Sequence, residues 1–565
     1  NSGYLEKAEQ EYRIALEIND ASRFPDVESQ LLLNLGNTYL ALSNYREAYR
    51  HYRQREEQFT PIGESITELL YRKNYGEACF KSGRTQESVT QYELALRKVP
   101  PEQRALRAEI LERIGLSHQD NGEYAKAITA FTQALDLNHE LGQEQNVTLL
   151  QRNIGVNLFN LSQASETGGR EKSKQALESY FTSLNHLAAS DEKPVTKGPG
   201  LFNVNVALND GSSQAASGFD QMGEQKLMFS YIASTYDHLE EPGPARDFYR
   251  KKLALLNQVS PTNQDAAALT EKAIVLNRLG VLSHQLDEPE QAMESFRQSL
   301  NYTRTLNLPF GISVNAYNLS QLAVESLLQR HIPEQSVVEA ITSGIHDLQQ
   351  RDYEDRHLFF TLTNTALLLS LLPDPLLDTR VKPEEAVQRM HTKFTQQTLP
   401  WSYYQKAESL LSQPAFFSNH ERLPAQFLVK LNQAELARTG NQHHVYQQTQ
   451  KDLLTLAEEQ QSPNSWLWYL SQAEEAVDTP TQKDFLQQAV DTVLRFPAQT
   501  DPRTGLANTW PAYERLTQLS VDQLIHDGKT EEAFAVAEQL SVRQITSAVY
   551  EELGEDYFLK GLGDY

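Results

Sequence analysis

Cysteine and long apolar runs are scarce in this chain of 565 residues. Its one cysteine, Cys79, has no second thiol with which to form an internal disulfide bond. The most apolar run, ALLLSLL at residues 366–372, is far shorter than the roughly 20 residues that cross a bilayer as a helix. These two absences exclude a disulfide-stapled fold and predict that no segment inserts into a membrane.

Sequence motifs for catalysis and cofactor binding are also missing. The chain contains no GxxxxGKS/T or GxGxxG loop for phosphates, no CxxC or HExxH pattern for zinc, and no GxSxG nucleophile turn. The adjacent His443 and His444 would point about 100 degrees apart on a helix, which suits a solvated helix start better than a metal site. We therefore predict a protein that is not an enzyme and uses no metal or other cofactor, with Cys79 as a small core residue.

Positive charge is in deficit, since 51 Lys and Arg face 75 Asp and Glu and the formal net charge is -24. Such a balance repels nucleic-acid phosphates and anionic lipid headgroups, and the sequence shows no basic stripe. We therefore predict a protein or peptide partner and no nucleic acid. The acidic excess has two interpretations that both stay open here: solubility of a large exposed surface, or a preference for basic or polar partner segments.

What the chain does contain is a repeated glycine. It recurs at Gly36, Gly76, Gly115 and Gly155, at spacings of 40, 39 and 40 residues, inside the segments LNLGNTY, RKNYGEA, LERIGLS and QRNIGVN. A bulky apolar residue precedes each of these glycines. A period of this size indicates stacked supersecondary units, none of which can bury its apolar face alone.

A second pattern follows each glycine and predicts the second helix of each unit. Small, aromatic and small residues recur there at intervals of four and three, so that they share one face of a helix. They are Ala48 with Tyr52; Ser88, Tyr92 and Ala95; Ala127, Phe131 and Ala134; and Ala176, Tyr180 and Ser183. We expect the small residues to let paired helices approach closely and the aromatic ring to fill the space between units.

This combination resembles the tetratricopeptide repeat (TPR) over at least residues 4–184 and 224–300, with a weaker unit at 312–348. The period is near 40 residues, whereas 34 is usual in the family, which is similar to a long-repeat subfamily of adaptor and cargo-binding proteins. The resemblance implies an all-α, right-handed superhelical α-solenoid of TPR-like helical hairpins that serves as a protein-protein interaction scaffold. The first segment, GYLEKAEQEYRIALE, matches the second helix of a repeat and predicts a partner helix upstream of residue 1.

Four segments are predicted along the chain. They are repeats at 1–184, the first one incomplete; an irregular insertion at 185–222; further repeats at 223–350; and degenerate TPR-like helices at 351–565. Pro194 and Pro199 cannot continue a helix, and the alternating FNVNVAL before the turn signal NDG favours a short hairpin in the insertion. The insertion is interpreted either as a lid across the binding surface or as a loose surface loop.

The binding surface is predicted from the residues that flank each glycine, because the first helix of each stacked unit lines the concave side. These positions are rich in asparagine, a poor residue for a helix interior, whose amide can donate to and accept from a peptide backbone. We predict contacts with an extended peptide or partner helix from Asn34, Asn37, Lys73, Asn74, Arg113, Arg152, Asn153, Asn157, Asn277, Arg278, Asn315 and Asn318. The resemblance implies that Arg113 and Arg152 hold carboxylate groups of the partner. The alternative is that the asparagines bond to neighbouring helices or face water.

The C-terminal segment carries a second resemblance. DGKTEEAFAVAEQLSVRQITSAVYEEL, which contains Ala533, Ala537 and Arg543, is similar to the junction in bacterial proteins where a repeat array precedes a caspase-like CHAT protease domain. That resemblance implies a regulatory or sensor arm of a larger protein. A third hypothesis is a structural subunit of a filament or envelope assembly that self-assembles through its terminal repeats. The compartment stays open between cytoplasmic and bacterial periplasmic or extracellular.

Overall fold

A computed structural model gives the fold for most of the chain, and the described part contains helices and no strand. This confirms the predicted all-α fold. The described residues are 2–20, 23–58, 66–164, 168–190, 220–258, 266–328, 331, 333–371, 400–413, 415–417, 419–439, 442–456, 465–476, 479–495, 510–537 and 539–540. The chain divides into two compact units, Asn1–Gln258 (unit 1) and Val259–Tyr565 (unit 2).

Unit 1 contains eleven helices with described bounds. They are α1 (Ser2–Ile18), α2 (Pro25–Ala41), α3 (Tyr45–Gln58), α4 (Ile66–Lys81), α5 (Thr85–Leu96), α6 (Arg104–Asp120), α7 (Tyr124–Glu140), α8 (Glu144–Gln163), α9 (Gly169–Ser190), α10 (Gln221–His238) and α11 (Pro242–Gln258). Helix α2 packs on α3, α4 on α5, α6 on α7, α8 on α9 and α10 on α11, and the second helix of each of the first four pairs also packs on the first helix of the next pair. Unit 1 is therefore a row of stacked helix pairs.

Unit 2 begins with helices of the same kind. Among its helices are α12 (Ala266–Gln285), α13 (Pro289–Thr305), α14 (Pro309–Leu328), α15 (Gln335–Gln349), α16 (Arg356–Leu371), α17 (Asn419–Thr439), α18 (His443–Leu454), α19 (Ser465–Glu475), α20 (Thr479–Arg495) and α21 (Trp510–His526). Residues 400–411 and 530–537 are helical as well. Helix α12 packs on α13, α17 on α18, and α19 on α20, while α14 packs on α13, α15 and α16. Exposed His443 and His444 begin α18.

The predicted insertion is shorter at its N-terminal end than the sequence indicated. Helix α9 continues to Ser190 and α10 begins at Gln221, so residues 185–190 are helical. The predicted hairpin with Pro194 and Pro199 falls in residues 191–219, which lie outside the described residues. Arg543 and the rest of the CHAT-like junction beyond residue 540 lie outside them as well.

The repeated glycine is required because an aromatic ring lies directly on it. A methyl group built on Gly36 would lie 2.4 Å from the ring of Tyr52, and one built on Gly115 would lie 2.6 Å from the ring of Phe131. Gly76 with Tyr92, Gly155 with Tyr180 and Gly280 with Phe296 repeat this contact at 2.5 to 2.8 Å. The ring thus belongs to the second helix of a pair, and it sets how closely the first helix approaches.

The rings also reach the next pair, as the sequence predicted. The Tyr52 ring is 5.8 Å from the Tyr71 ring and 5.7 Å from the Tyr75 ring, both of which lie on α4. Such tilted and edge-on contacts add to the apolar area that each ring buries. One aromatic position therefore joins the two helices of its own pair and connects that pair to the next.

A left-handed residue ends the first helix of many pairs. Gly83 and Gly122 have φ of 77° and 73°, a region in which glycine carries no Cβ penalty. After each of them an amide donates to a carbonyl of the preceding helix, Arg84 N to Cys79 O and Glu123 N to His118 O, both at 2.8 Å. These bonds satisfy carbonyl groups at the helix end and turn the chain into the second helix.

The single thiol lies inside this packing. Cys79 is 0% exposed on α4, which agrees with its predicted position in the core phase of the repeat. Burial, with a smaller contribution from the Glu87 carboxylate, raises the pKa of the Cys79 thiol to about 12. A nucleophilic cysteine needs the opposite shift.

We predict that Gly115→Ala lowers the stability of the chain by about 1–3 kcal/mol, because the new methyl group overlaps the buried Phe131 ring. Thermal unfolding followed by circular dichroism measures the effect. Gly243→Ala is the matched control, since a Cβ there meets no atom within 4 Å. Adding Phe131→Leu to Gly115→Ala should cost less than the two single effects together. Equal melting temperatures for Gly115→Ala and Gly243→Ala would contradict the overlap.

We also predict that the folded chain resists thiol reagents. At about pH 8 a thiol with a pKa near 12 is ionised in only about one molecule in ten thousand, and Cys79 is closed to solvent. With a chromogenic disulfide reagent, the absorbance that corresponds to one reacted thiol per chain should appear only after denaturant is added. A Glu93→Cys variant, which places a thiol at an exposed position on α5, is the control that should react at once. Rapid labelling of Cys79 in the folded wild-type chain would contradict the burial of its side chain.

Candidate binding surface

The residues flanking the core glycines bring successive first helices together. We call the face formed by Asn34, Asn37, Lys73, Asn74, Arg113, Arg152, Asn153 and Asn157 on α2, α4, α6 and α8 the glycine-flanking surface. Its first contact joins α2 and α4: Asn37 Oδ1 accepts hydrogen bonds from Tyr52 Oη at 2.6 Å and from Asn74 Nδ2 at 3.0 Å. Asn34 Oδ1 accepts from Gln30 Nε2 at 2.9 Å on its own helix.

An ion pair takes the place of the two amides one step further along. Glu77 follows Gly76 as Asn37 follows Gly36, and its carboxylate accepts from Tyr92 Oη at 2.8 Å. Arg113 on α6 lies 3.5 Å from the same carboxylate. Although burial by itself favours the neutral form, the Glu77 carboxylate and other nearby groups hold the pKa of Arg113 above its usual range.

The polarity of the residue after the glycine follows the type of aromatic residue 15 positions later: it is polar where that residue is tyrosine and apolar where it is phenylalanine. Tyr52 and Tyr92 each place a hydroxyl on such a residue, Asn37 and Glu77 respectively. Tyr249 does the same with Ser234, although Ser234 follows Ala233 in place of a glycine. Where the ring is Phe131 or Phe296, the corresponding residues are the apolar Leu116 and Val281. A buried hydroxyl without a partner would be costly, so the two positions depend on each other. Tyr180 departs from the pattern, because its spacing from Gly155 is longer.

Arg152 on α8 binds a carboxylate on α10, which also belongs to unit 1. Its Nη1 donates to both oxygens of Glu224 on α10, at 2.7 and 2.6 Å, and its Nε and Nη2 donate to Asn153 Oδ1 at 3.3 and 3.2 Å. A two-oxygen contact of this kind is among the stronger polar interactions in proteins. Asn157 is 0% exposed; its Nδ2 donates to Gln119 Oε1 and to the Asn153 carbonyl, and its Oδ1 has no hydrogen-bond partner.

The remaining cations of this surface are paired too. Lys73 Nζ lies 2.7 Å from Glu109 on α6. Its neighbour Arg72, which is buried, donates to Glu68 and to Glu56, each at 2.7 Å. The pairs therefore connect neighbouring helices as well as neutralising charge, although pairs open to solvent in part, such as Lys73–Glu109, contribute little stability each.

In unit 2 the predicted asparagines are bound to one another. Asn277 Nδ2 on α12 donates to Asn315 Oδ1 on α14 at 3.0 Å, and Asn315 Nδ2 donates to the Gly311 carbonyl at 2.7 Å. Both side chains are buried. Asn318 is half-buried, with an Nδ2 that no acceptor reaches, and Arg278 is half-buried beside Asn277. The Asn277–Asn315 bond is, like Asn37–Asn74, a hydrogen bond between two side-chain amides on different helices.

The predicted role of Arg113 and Arg152 in holding a partner's carboxylate stays a prediction. Because both guanidinium groups already bind Glu77 and Glu224, such a role requires exchange of one carboxylate for another. The sequence analysis missed Glu77 and Glu224 as their partners. Glu77 had a signal, since it is the polar residue 15 positions before a tyrosine; Glu224 had none, since it lies 72 residues from Arg152.

Neither a metal-ligand group nor a membrane-spanning helix occurs among the described residues. Among the described residues no three His, Cys, Asp or Glu side chains are grouped so that they could hold a metal ion. The helices of the described part are each too short or too polar to cross a bilayer. The glycine-flanking surface offers amides, paired charges and tyrosine hydroxyls, which are groups that recognise a polar partner.

Sequence profiles of known families agree with the repeat. Profiles described as tetratricopeptide repeat match residues 31–57, 108–141 and 273–305. One curated relative is similar over 159 residues at 24% identity: the intraflagellar transport protein 88 homolog of Homo sapiens. The match covers 28% of this chain and 17% of that protein, so the chain spans under a fifth of the length of this relative.

Solved structures with a similar arrangement come from several bacteria. The C-terminal part of a TPR repeat-containing protein from Cytophaga hutchinsonii is 12% identical, with a TM-score of 0.34, and the match covers 54% of this chain and 96% of that one. The apo form of the quorum sensor NprR from B. thuringiensis is 14% identical, with a TM-score of 0.32, over 70% of this chain and 99% of that one. BtubC from P. vanneervenii is 13% identical, with a TM-score of 0.33, over 47% and 91%.

The family profiles fall on α2–α3, α6–α7 and α12–α13, which are three of the pairs in which a ring lies on a glycine. Sequence, packing and profile therefore assign the same helices to the same unit. The chain therefore contains tetratricopeptide repeats within an all-α helical-repeat solenoid, an architecture typical of protein-interaction scaffolds.

Proposed function

We propose that the chain binds an extended peptide or partner helix on the glycine-flanking surface of unit 1, and that it acts as a scaffold without catalysis of its own. The Asn37–Asn74 contact is the observation that carries this proposal. Asn37 uses its oxygen twice and Asn74 uses its nitrogen, which leaves Asn37 Nδ2 and Asn74 Oδ1 without a partner among the described residues. Neither atom is sealed from solvent.

A free donor beside a free acceptor matches the polar groups of a peptide bond, which carries one N–H and one C=O. Because the contact between the two amides fixes both side chains, a bound peptide would cost little further side-chain entropy at these positions. Recognition of the main chain in this way tolerates many partner sequences. Asn34 lies one turn from Asn37 on α2 and extends the same row of amides.

The other predicted contacts have smaller roles in this proposal. Asn157 is buried and bonded to α6 in unit 1, so it supports the surface from beneath. Asn277 and Asn315 lie in unit 2, where they are buried and bonded to each other. Lys73, Arg113, Arg152 and Asn153 are the remaining members of the surface in unit 1. The contacts of Arg278 and Asn318, in unit 2, with a partner stay a prediction. The regulatory-arm and filament hypotheses stay predictions, as do the segment boundaries other than those of the insertion.

Asn37→Asp tests the proposal with little disturbance of packing. The aspartate keeps the oxygen that accepts from Tyr52 and Asn74, but it replaces the free Nδ2 donor by a second acceptor. Peptides selected from a displayed random library on the wild-type chain should bind this variant about tenfold or more weakly in fluorescence anisotropy, because one donor is lost and an acceptor opposes the peptide carbonyl.

Asn301→Asp, at an exposed position on α13, makes the same change of charge and should leave the affinity unchanged. Melting temperatures of all three proteins check that the fold is retained. Selected peptides that bind Asn37→Asp as tightly as wild type would place the binding surface elsewhere. A library that yields no binder would count against peptide binding altogether.

A further inference from the structure

The charges on the glycine-flanking surface are unevenly matched around α6. Every cation described there has a carboxylate of the same unit: Lys73 binds Glu109 at 2.7 Å, Arg113 lies 3.5 Å from Glu77, and Arg152 binds Glu224 at 2.6 Å. Arg72 beneath them binds two carboxylates, Glu68 and Glu56. None of these four cations is left over for an acidic partner.

Glu112 is the carboxylate that remains. It lies three residues before Gly115, which is the position that Lys73 and Arg152 occupy before Gly76 and Gly155. It is half-buried, and it makes no hydrogen bond or ion pair with the described residues. The carboxylate oxygens of Glu112 are partly accessible to solvent.

Burial raises the pKa of the Glu112 carboxyl, and attraction from Arg113 offsets only part of that increase. Glu109 on the same helix raises it further, and Arg152 lowers it. The negative charge of Glu112 is therefore less well stabilised than it would be in water. A cation that reached it would remove this cost, and the carboxylates on Arg113 and Arg152 reduce the repulsion that such a cation would meet.

A second unmatched group on the facing helix has the same character. Asn157 on α8 donates through Nδ2 to Gln119 on α6, whereas its buried Oδ1 accepts from no donor. The unpaired atoms described here on α6 and α8, the Glu112 oxygens and Asn157 Oδ1, are therefore all hydrogen-bond acceptors. Counting the ion pairs and Glu112 together, six carboxylates face four cations, in keeping with the formal net charge of -24.

We propose that the partner peptide presents a Lys or Arg side chain to Glu112, so that the surface between α4, α6 and α8 selects basic peptides. This rests on the proposed function and adds to it the chemistry of the partner. It also decides between the two interpretations of the acidic composition, in favour of basic partner segments. An excess of negative charge would speed the encounter with such a peptide at low salt.

The experiment uses the full chain and a displayed library of random peptides, from which binders are selected on the wild type and on Glu112→Gln. Wild-type binders should be enriched in Lys or Arg at one position, and the enrichment should disappear on Glu112→Gln. One selected peptide is then synthesised with its basic residue or with norleucine there. Norleucine should weaken binding to wild type about tenfold or more and binding to Glu112→Gln by much less, because the charged pair is absent in the variant.

Glu93→Gln removes one charge from an exposed position on α5 and should behave as wild type. Because Glu112 is half-buried without a partner, Glu112→Gln should melt no lower than wild type. Selected peptides without basic residues, or basic peptides that bind Glu112→Gln unchanged, overturn the inference. If those peptides are still weakened by Asn37→Asp, the proposed binding surface survives; if no peptide is selected at all, both proposals fail.

Discussion

The contact between an aromatic ring and a glycine determines the rest of the structure. It brings the two helices of a pair so close that a methyl group on the glycine has no room, and it fixes the rotation of the first helix about its axis. Once that rotation is fixed, the residues on either side of the glycine point to the same face in each pair. Asn37 can then meet Asn74, and Glu77 can meet Arg113, across neighbouring pairs.

Much of this could be predicted from the sequence, because packing rules are local and periodic. Glycine at a period near 40 and small–aromatic–small spacing in the next helix depend only on residues within one unit, and both proved correct at Gly76 and Gly115. The predicted space-filling role of the aromatic residue was incomplete, since each ring packs first against the glycine of its own pair.

The bonding partners of the surface residues were less accessible to prediction. Arg152 and Glu224 lie 72 residues apart, and no spacing rule connects them. The ion pair between Arg113 and Glu77 depends on which rotamers two long side chains adopt across a helix interface. The sequence indicated Arg113 and Arg152 as sites for acidic groups of a partner, whereas the distances show that a carboxylate of unit 1 lies beside each of them. Whether a charged side chain such as Glu112 lacks an ion-pair partner depends on the folded surface, so it can be decided only after the ion pairs around it have been assigned.

The offset of 15 residues between the position after the glycine and the ring has an evolutionary consequence. A tyrosine that mutates to phenylalanine leaves a polar residue, such as Asn37 or Glu77, facing a ring without a hydroxyl, and the reverse change strands a hydroxyl on Leu116. We therefore expect a single substitution at either position to be destabilising and the two positions to change together among homologues. A repeat can then change from a polar pair to an apolar pair by substitution of only these two residues. Such paired changes would alter the chemistry of the binding surface while the packing of the helices stays the same.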